Sequence, residues 1–247
     1  MEDVNCWLAK FKECSYSSRL LTKLLLLNKT FANKIDITEV KKAIYYAKKY
    51  HGEQKRQSGE PYYSHPIEVA FMVADYAVAE HKCYFRTDLF VSAILHDIIE
   101  DTELTKEIIE NIFGAIVASQ VESLTRIKVH GKISSEELVG SLLLQENKDV
   151  LMIKMFDRLH NVQTIEAKSP EKIQKIINET IKVFLWLSVY LEMPQIKNIL
   201  IKYCYTHLHK EQRYFLTNHS LTLSTGSYQL PFLKYQNDVN PVDILQQ

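Results

Sequence analysis

The 247-residue chain is long enough for one large domain, or for a domain with appendages, and a hydrophobic content of 46% supports a full core. Its 30 basic and 30 acidic side chains cancel. That argues against bulk electrostatic capture of nucleic acid or of an acidic membrane, but leaves room for a local basic patch over a phosphorylated small molecule.

Six glycines and six prolines make breakers scarce and favour long helices. No parallel-sheet pattern appears, so the expected fold is all-α. Residues 1–35 read as one or two amphipathic helices, with Leu20, Leu21, Leu24, Leu25 and Leu27 as a wide apolar face that packs on the main domain. Asp36 starts the next helix with Glu39 as its capping-box partner, and Val40, Ala43, Ile44, Ala47 and Tyr50 form its apolar face. A polar loop, Gly52 to Tyr63, holds Gly59 and Pro61, and Pro66 takes a first helical position. Ile67, Ala70, Phe71, Ala74 and Val78 then form a buried stripe.

A helix beginning near Thr87 is followed by one from about Thr105 to Phe113, stopped at Gly114, and another over Ala115 to Leu124. Ile127 to Ser134 reads as a loop. Helices follow at Ser135–Leu144 and Asp149–Thr164, and Ser169-Pro170-Glu171 opens one running through Ile173, Ile177, Phe184 and Leu187. Pro194 ends or kinks it, and a last helix reaches about His209. After about Gln212 the helical period is lost, and the residues read as a poorly ordered tail. The expected divisions are 1–35, an N-terminal extension; 36–193, the main domain; and 194–247, a C-terminal helix and tail.

Cys6, Cys14, Cys83 and Cys204 contain no CxxC pair, so they are expected as buried, reduced thiols of a cytoplasmic protein. Glu2 and Asp3 have the wrong sign for a secretory signal. The run Leu24 to Leu27 is far below the ~20 residues of a membrane span.

The chemistry concentrates in His96-Asp97-Ile98-Ile99-Glu100-Asp101, inside a greasy helix expected from Leu89 to Ile99. Positions four apart share a helix face, offset by roughly 40°. Glu100 would follow His96, and Asp101 would follow Asp97. An imidazole and three carboxylates on one patch are costly without compensation, and a divalent cation relieves both the desolvation and the repulsion. On a second patterned helix Asp157, Asn161 and Thr164 share a face, with Asp157 a plausible metal ligand and the other two within reach of a bound ligand. His65, beside the polar loop, adds a neutral imidazole. His65, His96, Asp97 and Asp157 make a mixed nitrogen and oxygen set suited to Mn²⁺, Fe²⁺ or Zn²⁺ more than Ca²⁺. Glu100 and Asp101 are then free to orient or deprotonate a metal-bound water. His51, His81, His130, His207 and His209 lack a partner pattern and are read as surface or structural. His160 is read as packing or supporting a ligand rather than being one. Lys154 and Arg158 fit phosphate contact or a local ion pair.

These residues resemble the HD superfamily of metal-dependent phosphohydrolases, and more closely the alarmone hydrolase domain of the RelA/SpoT family. The resemblance rests on Arg56-Gln57-Ser58-Gly59-Glu60-Pro61-Tyr62-Tyr63-Ser64-His65-Pro66, His96-Asp97-Ile98-Ile99-Glu100-Asp101-Thr102, Leu124-Thr125-Arg126-Ile127 and Ile153-Lys154-Met155-Phe156-Asp157-Arg158-Leu159-His160-Asn161, in the family's order. It covers roughly residues 38 to 190. It implies a helical bundle around a single metal site, usually one Mn²⁺, held by His65, His96, Asp97 and Asp157. It implies that Glu100 and Asp101 activate the attacking water, that Arg56 packs on guanine, that Ser58 contacts the base, and that Tyr62, Asn161 and Thr164 line the nucleotide site. The implied reaction removes the 3′-pyrophosphate of (p)ppGpp, giving GDP or GTP plus pyrophosphate, and family members that have lost it commonly lose the acidic motif that is intact here.

Three departures stand beside the resemblance. Gln57 replaces the family's usual lysine, one positive charge fewer near a polyanion. Tyr190-Leu191-Glu192-Met193 replaces the usual arginine and glycine at the end of the long helix. No synthetase motifs appear, as in a hydrolase-only member or a fragment of a longer protein. The alternatives are an HD phosphohydrolase acting on another nucleotide, and a truncated relic that binds alarmone without turnover.

Overall fold

The computed structural model describes residues 7–128 and 131–208. The tail read as poorly ordered lies outside the described residues, as do Cys6, His130 and His209. The first helices are α1 (Trp7–Lys10), α2 (Ser15–Thr30), α3 (Ile37–His51), α4 (Ser64–Met72) and α5 (Val78–Glu80). Then come α6 (Thr87–Leu95), α7 (Ile98–Asp101), α8 (Lys106–Phe113) and α9 (Ala115–Leu124). After a short strand pair the chain completes α10 (Ser135–Leu144), α11 (Lys148–Gln163), α12 (Pro170–Glu179), α13 (Leu185–Tyr190) and α14 (Pro194–Thr206). The fold is an all-α bundle, as expected.

Helix starts follow local chemistry. Asp36 accepts from the amides of Thr38 and Glu39, Thr105 from that of Ile108, and Ser134 makes a reciprocal capping box with Glu137. Glu39 turns instead to Lys42, so the box expected at Asp36 is half made. Gly114 holds φ +88° between α8 and α9, a conformation that side chains rarely adopt. Pro66 sits at the third position of α4 rather than the first, still within the turn whose amides lack helical partners. Pro194 does not merely end a helix; it opens α14 at its first position.

Two expected helices carry π turns, Val73–Ala77 after α4 and Thr180–Phe184 after α12. The segment expected as a loop near residue 127 forms a minimal antiparallel pair, β1 (Ile127–Lys128) with β2 (Gly131–Lys132).

The core is one continuous cluster. Leu20, Leu21 and Leu24 of α2 belong to it and pack on α3 and α4, whereas Leu25 is exposed. α6 and α11 run through the centre. Every residue from Leu89 to Leu95 and from Val150 to His160 is buried. An apolar helix buried all round is expected for α6. On α11 the buried set includes Lys154, Asp157, Arg158 and His160, and burial of such groups demands partners. Cys204 is buried, Cys14 half-buried and Cys83 exposed, so the expectation of buried thiols fails at Cys83. Among the described residues no helix is long and apolar enough to cross a membrane.

Candidate active site

Helix α6 stops before the acidic motif. Leu95 is its last residue, Asp97 takes φ −101° and ψ −3°, and α7 restarts at Ile98. The expected continuous helix from Leu89 to Ile99 is therefore broken at His96-Asp97. A straight helix would stack Glu100 over His96 and crowd three carboxylates. The break turns Asp97 inward and sends Glu100 elsewhere.

Four side chains from three places in the chain converge: His65 from α4, His96 and Asp97 from the α6–α7 break, and Asp157 from α11. Donor atoms of His65, His96 and Asp157 lie within 4.8 Å of one another. Asp97 Oδ2 is 3.1 Å from His96 Nε2 and 3.5 Å from His65 Nε2. His65 Nε2 is 3.2 Å from Asp157 Oδ1.

Hydrogen bonding fixes the tautomers. Arg56 can only donate, so His160 Nδ1, 3.1 Å away, accepts. His65 Nδ1 lies 2.8 Å from that same nitrogen and must be the other donor. His65 Nε2 is then left with its lone pair. His96 Nδ1 donates to the Ala93 carbonyl at 2.9 Å, and its buried Nε2 makes no hydrogen bond. Two imidazole nitrogens thus face two carboxylates at close range. The donor set and the orphaned His96 Nε2 fit one divalent cation, with each ring's other nitrogen tied down behind it.

The electrostatics agree. Burial disfavours a charged His96, but Asp97 and then Asp157 outweigh it and raise its pKa to about 9. Burial lowers His65. Burial, then His65 and Arg56, push His160 down to about 2, so it stays a neutral acceptor. Asp97 and Asp157 are held ionised despite burial, Asp97 chiefly by His96 and Asp157 by Lys154 at 2.6 Å.

The two remaining acids are pushed apart. Against burial, Lys132 (2.5 Å), together with the Arg126 backbone amide (3.1 Å) and guanidinium (3.4 Å), lowers Glu100. Asp101 is raised, by loss of water on its inner side and by Asp97 and Glu100. The Tyr62 hydroxyl donates to Asp101 Oδ2 at 2.5 Å, with Asp97 Oδ2 at 3.3 Å.

A polar cavity of about 340 Å³ opens over this cluster, lined by Lys55, Arg56, Arg126, Lys132, Lys154 and Lys168 among others. Arg56 bonds Thr164 Oγ1 at 3.1 Å and Asn161 Oδ1 at 3.4 Å, while Asn161 Nδ2 donates to Asp157 Oδ1 at 2.6 Å. The structure thus gathers all the expected site residues but one. Ser58 sits exposed on the turn closed by the Gly59 amide on the Arg56 carbonyl, and is not part of the cavity wall. Gln57 does line the cavity, which Lys168 and Lys154 also reach from distant parts of the chain. Lys154 is an ion-pair partner of Asp157. Arg158 bonds Glu179 and Ser135 and lies over the Phe184 ring. Lys132 had no signal in the sequence, because it reaches the site from a segment without helical pattern.

A family model described as an HD domain matches residues 43–191. A guanosine-3′,5′-bis(diphosphate) 3′-pyrophosphohydrolase of Aquifex aeolicus (strain VF5) is 37% identical over 177 residues, which cover 70% of this chain and 24% of that protein. A protein of Brucella ovis named GTP pyrophosphokinase rsh is 34% identical over 186 residues, 72% of this chain and 24% of that one. The chain spans about a quarter of the length of these curated relatives. A solved structure of a metazoan ortholog of SpoT, reported to hydrolyse ppGpp, superimposes with a TM-score of 0.55 at 20% identity, covering 69% of this chain and 96% of that one. At that identity the likeness speaks for the fold. The chain belongs to the HD-domain family, in the branch that includes the RelA/SpoT proteins.

Proposed function

We propose that this chain hydrolyses the 3′-pyrophosphate of (p)ppGpp to GDP or GTP and pyrophosphate in the cytosol, with one Mn²⁺, and that residues 36–193 form the hydrolase domain. The observation that carries this reading is the cavity itself: a cluster built for a cation at its floor and basic side chains around its wall. The names of the Aquifex relative and of the SpoT ortholog support the choice of substrate. Neither nucleic acid nor membrane is part of the proposal.

In this reading His65, His96, Asp97 and Asp157 hold the metal. When bound, the ion lowers the pKa of water and polarises the phosphate. Asp101, with the raised pKa, takes the proton of the attacking water at its carboxylate. Glu100, kept ionised by Lys132 and Arg126, orients that water. Arg56 is held along its edge by His160, Asn161 and Thr164, and offers its plane to guanine. Tyr62 and Asn161 border the nucleotide.

The test is pyrophosphate release from ppGpp by purified protein with Mn²⁺, with and without chelator. Release that stops on chelation is expected. No release, or release indifferent to chelator, overturns the proposal. Cleavage unchanged in Arg56→Ala removes the guanine contact and points to another nucleotide.

A further inference from the structure

Tyr62 carries a single phenolic hydrogen, and its bond to Asp101 Oδ2 at 2.5 Å is shorter than its approach to Asp97 Oδ2 at 3.3 Å. Among the described residues no other side chain donates to the Asp101 carboxylate. Asp101 is exposed and repelled by Asp97 and Glu100. Untethered, its carboxylate would swing toward water.

What holds Tyr62 is therefore decisive. The His51 ring stacks on the Tyr62 ring, with centroids 4.7 Å apart and planes at 29°. His51 is only 2% exposed, at the last position of α3. Its Nδ1 lies 3.0 Å from Gln54 Oε1. Gln54 Nε2 donates to the Asp101 backbone carbonyl at 3.1 Å, which fixes the amide so that Oε1 accepts and His51 Nδ1 donates. The Gln54 carbonyl in turn accepts the Tyr62 amide at 2.8 Å. His51, Gln54, Asp101 and Tyr62 close a ring. One side of it grips Asp101 by its backbone, the other by its carboxylate.

We propose that His51 is a positioning residue for Asp101, acting through the stacked Tyr62 ring and through Gln54. The proposal rests on the hydrolase reading above. It extends that reading to a histidine that belongs neither to the cation cluster nor to the cavity wall, and stands behind the wall residue Tyr62. Displacing a reacting group by about 1 Å costs roughly 100-fold in rate. His51 should therefore act on turnover, and little on substrate affinity.

The experiment compares wild type, His51→Ala, His51→Phe, Tyr62→Phe and the double variant His51→Ala/Tyr62→Phe. It follows pyrophosphate release from ppGpp with Mn²⁺, and backbone hydrogen exchange over residues 97–102. His51→Ala should lose roughly 100-fold in kcat with KM little changed. His51→Phe keeps a ring to stack and should recover a large part of that loss. The double variant should lose less than the two single losses multiplied, because both act on Asp101 through the Tyr62 ring. Exchange over 97–102 should quicken in His51→Ala more than in His51→Phe. Full kcat in His51→Ala, losses that multiply in the double variant, or unchanged exchange each overturn the proposal. If His51→Ala fails to fold, His51→Phe and Tyr62→Phe decide: a kcat loss smaller in the first than in the second supports the ring, and equal or reversed losses overturn it. A wild type that releases no pyrophosphate sinks the substrate reading alone, and the exchange comparison still decides the ring.

Discussion

One nitrogen, His160 Nδ1, accepts from both Arg56 and His65. That sharing ties the wall of the cavity to its floor. It also sets a pH dependence. Burial, His65 and Arg56 push His160 from its ordinary value of 6.5 to about 2. The unfolded chain then binds a proton that the folded chain refuses across that interval, so stability falls as pH drops below 6.5 toward 2. In metal-free protein, His160→Gln should flatten this part of the denaturation midpoint against pH. An equally steep profile would contradict it. At the floor, Asp97→Ala should abolish metal binding by calorimetry and turnover with it. Glu100→Gln should keep the metal and lose roughly 100-fold or more in kcat. Full turnover in a metal-bound Glu100→Gln protein removes Glu100 from the chemistry. The residues themselves were legible in the sequence: His65, His96, Asp97 and Asp157 are the four that meet. What could not be read was their orientation, because the His65 tautomer depends on Arg56 and His160, and the division between Glu100 and Asp101 on Arg126, Lys132 and Tyr62, which lie far away along the chain.

At the scale of elements, helix starts were the most readable feature, since caps act within four residues. Asp36, Thr105 and Ser134 each begin a helix where the sequence places one. The failures share a cause: tertiary demand overrode local pattern. Apolar periodicity continues from Leu89 to Ile99, yet the helix breaks between α6 and α7, where Asp97 faces His96 and His65. The π turns leave the apolar stripes in register with neighbours that lie elsewhere in the chain. The β1–β2 pair has no strand pattern at all, and its place is marked only by the grip of Lys132 and Arg126 on Glu100. Leu20, Leu21 and Leu24 of α2 pack into the core, as expected of the leucine face of residues 1–35, whereas Leu25 does not. Leu24→Ala, at a fully buried position, should cost about 2–5 kcal/mol in urea denaturation. A cost below about 0.5 kcal/mol, the surface range, would place α2 outside the folding unit.

For the whole molecule, α11 is the axis. It touches α4, α9, α10 and α14, and carries Lys154, Asp157, Arg158 and His160 in its buried length. A cation bound to Asp157 therefore braces the centre of the fold. Mn²⁺ at about 100 times its dissociation constant should stabilise the protein by about 2.7 kcal/mol, seen as a higher Tm that chelator reverses. Asp157→Asn should show no such rise. An unchanged Tm in wild type would mean that the cluster does not bind the ion. Lys154 gives this centre a further property. It neutralises Asp157, while His96, raised to about 9 by Asp97 and Asp157, carries a proton that offsets Asp97 when no cation is bound. A divalent cation held by the same cluster would take the place of that proton. Loading should therefore release a proton below about pH 9, and affinity for the ion should climb as pH rises toward that value.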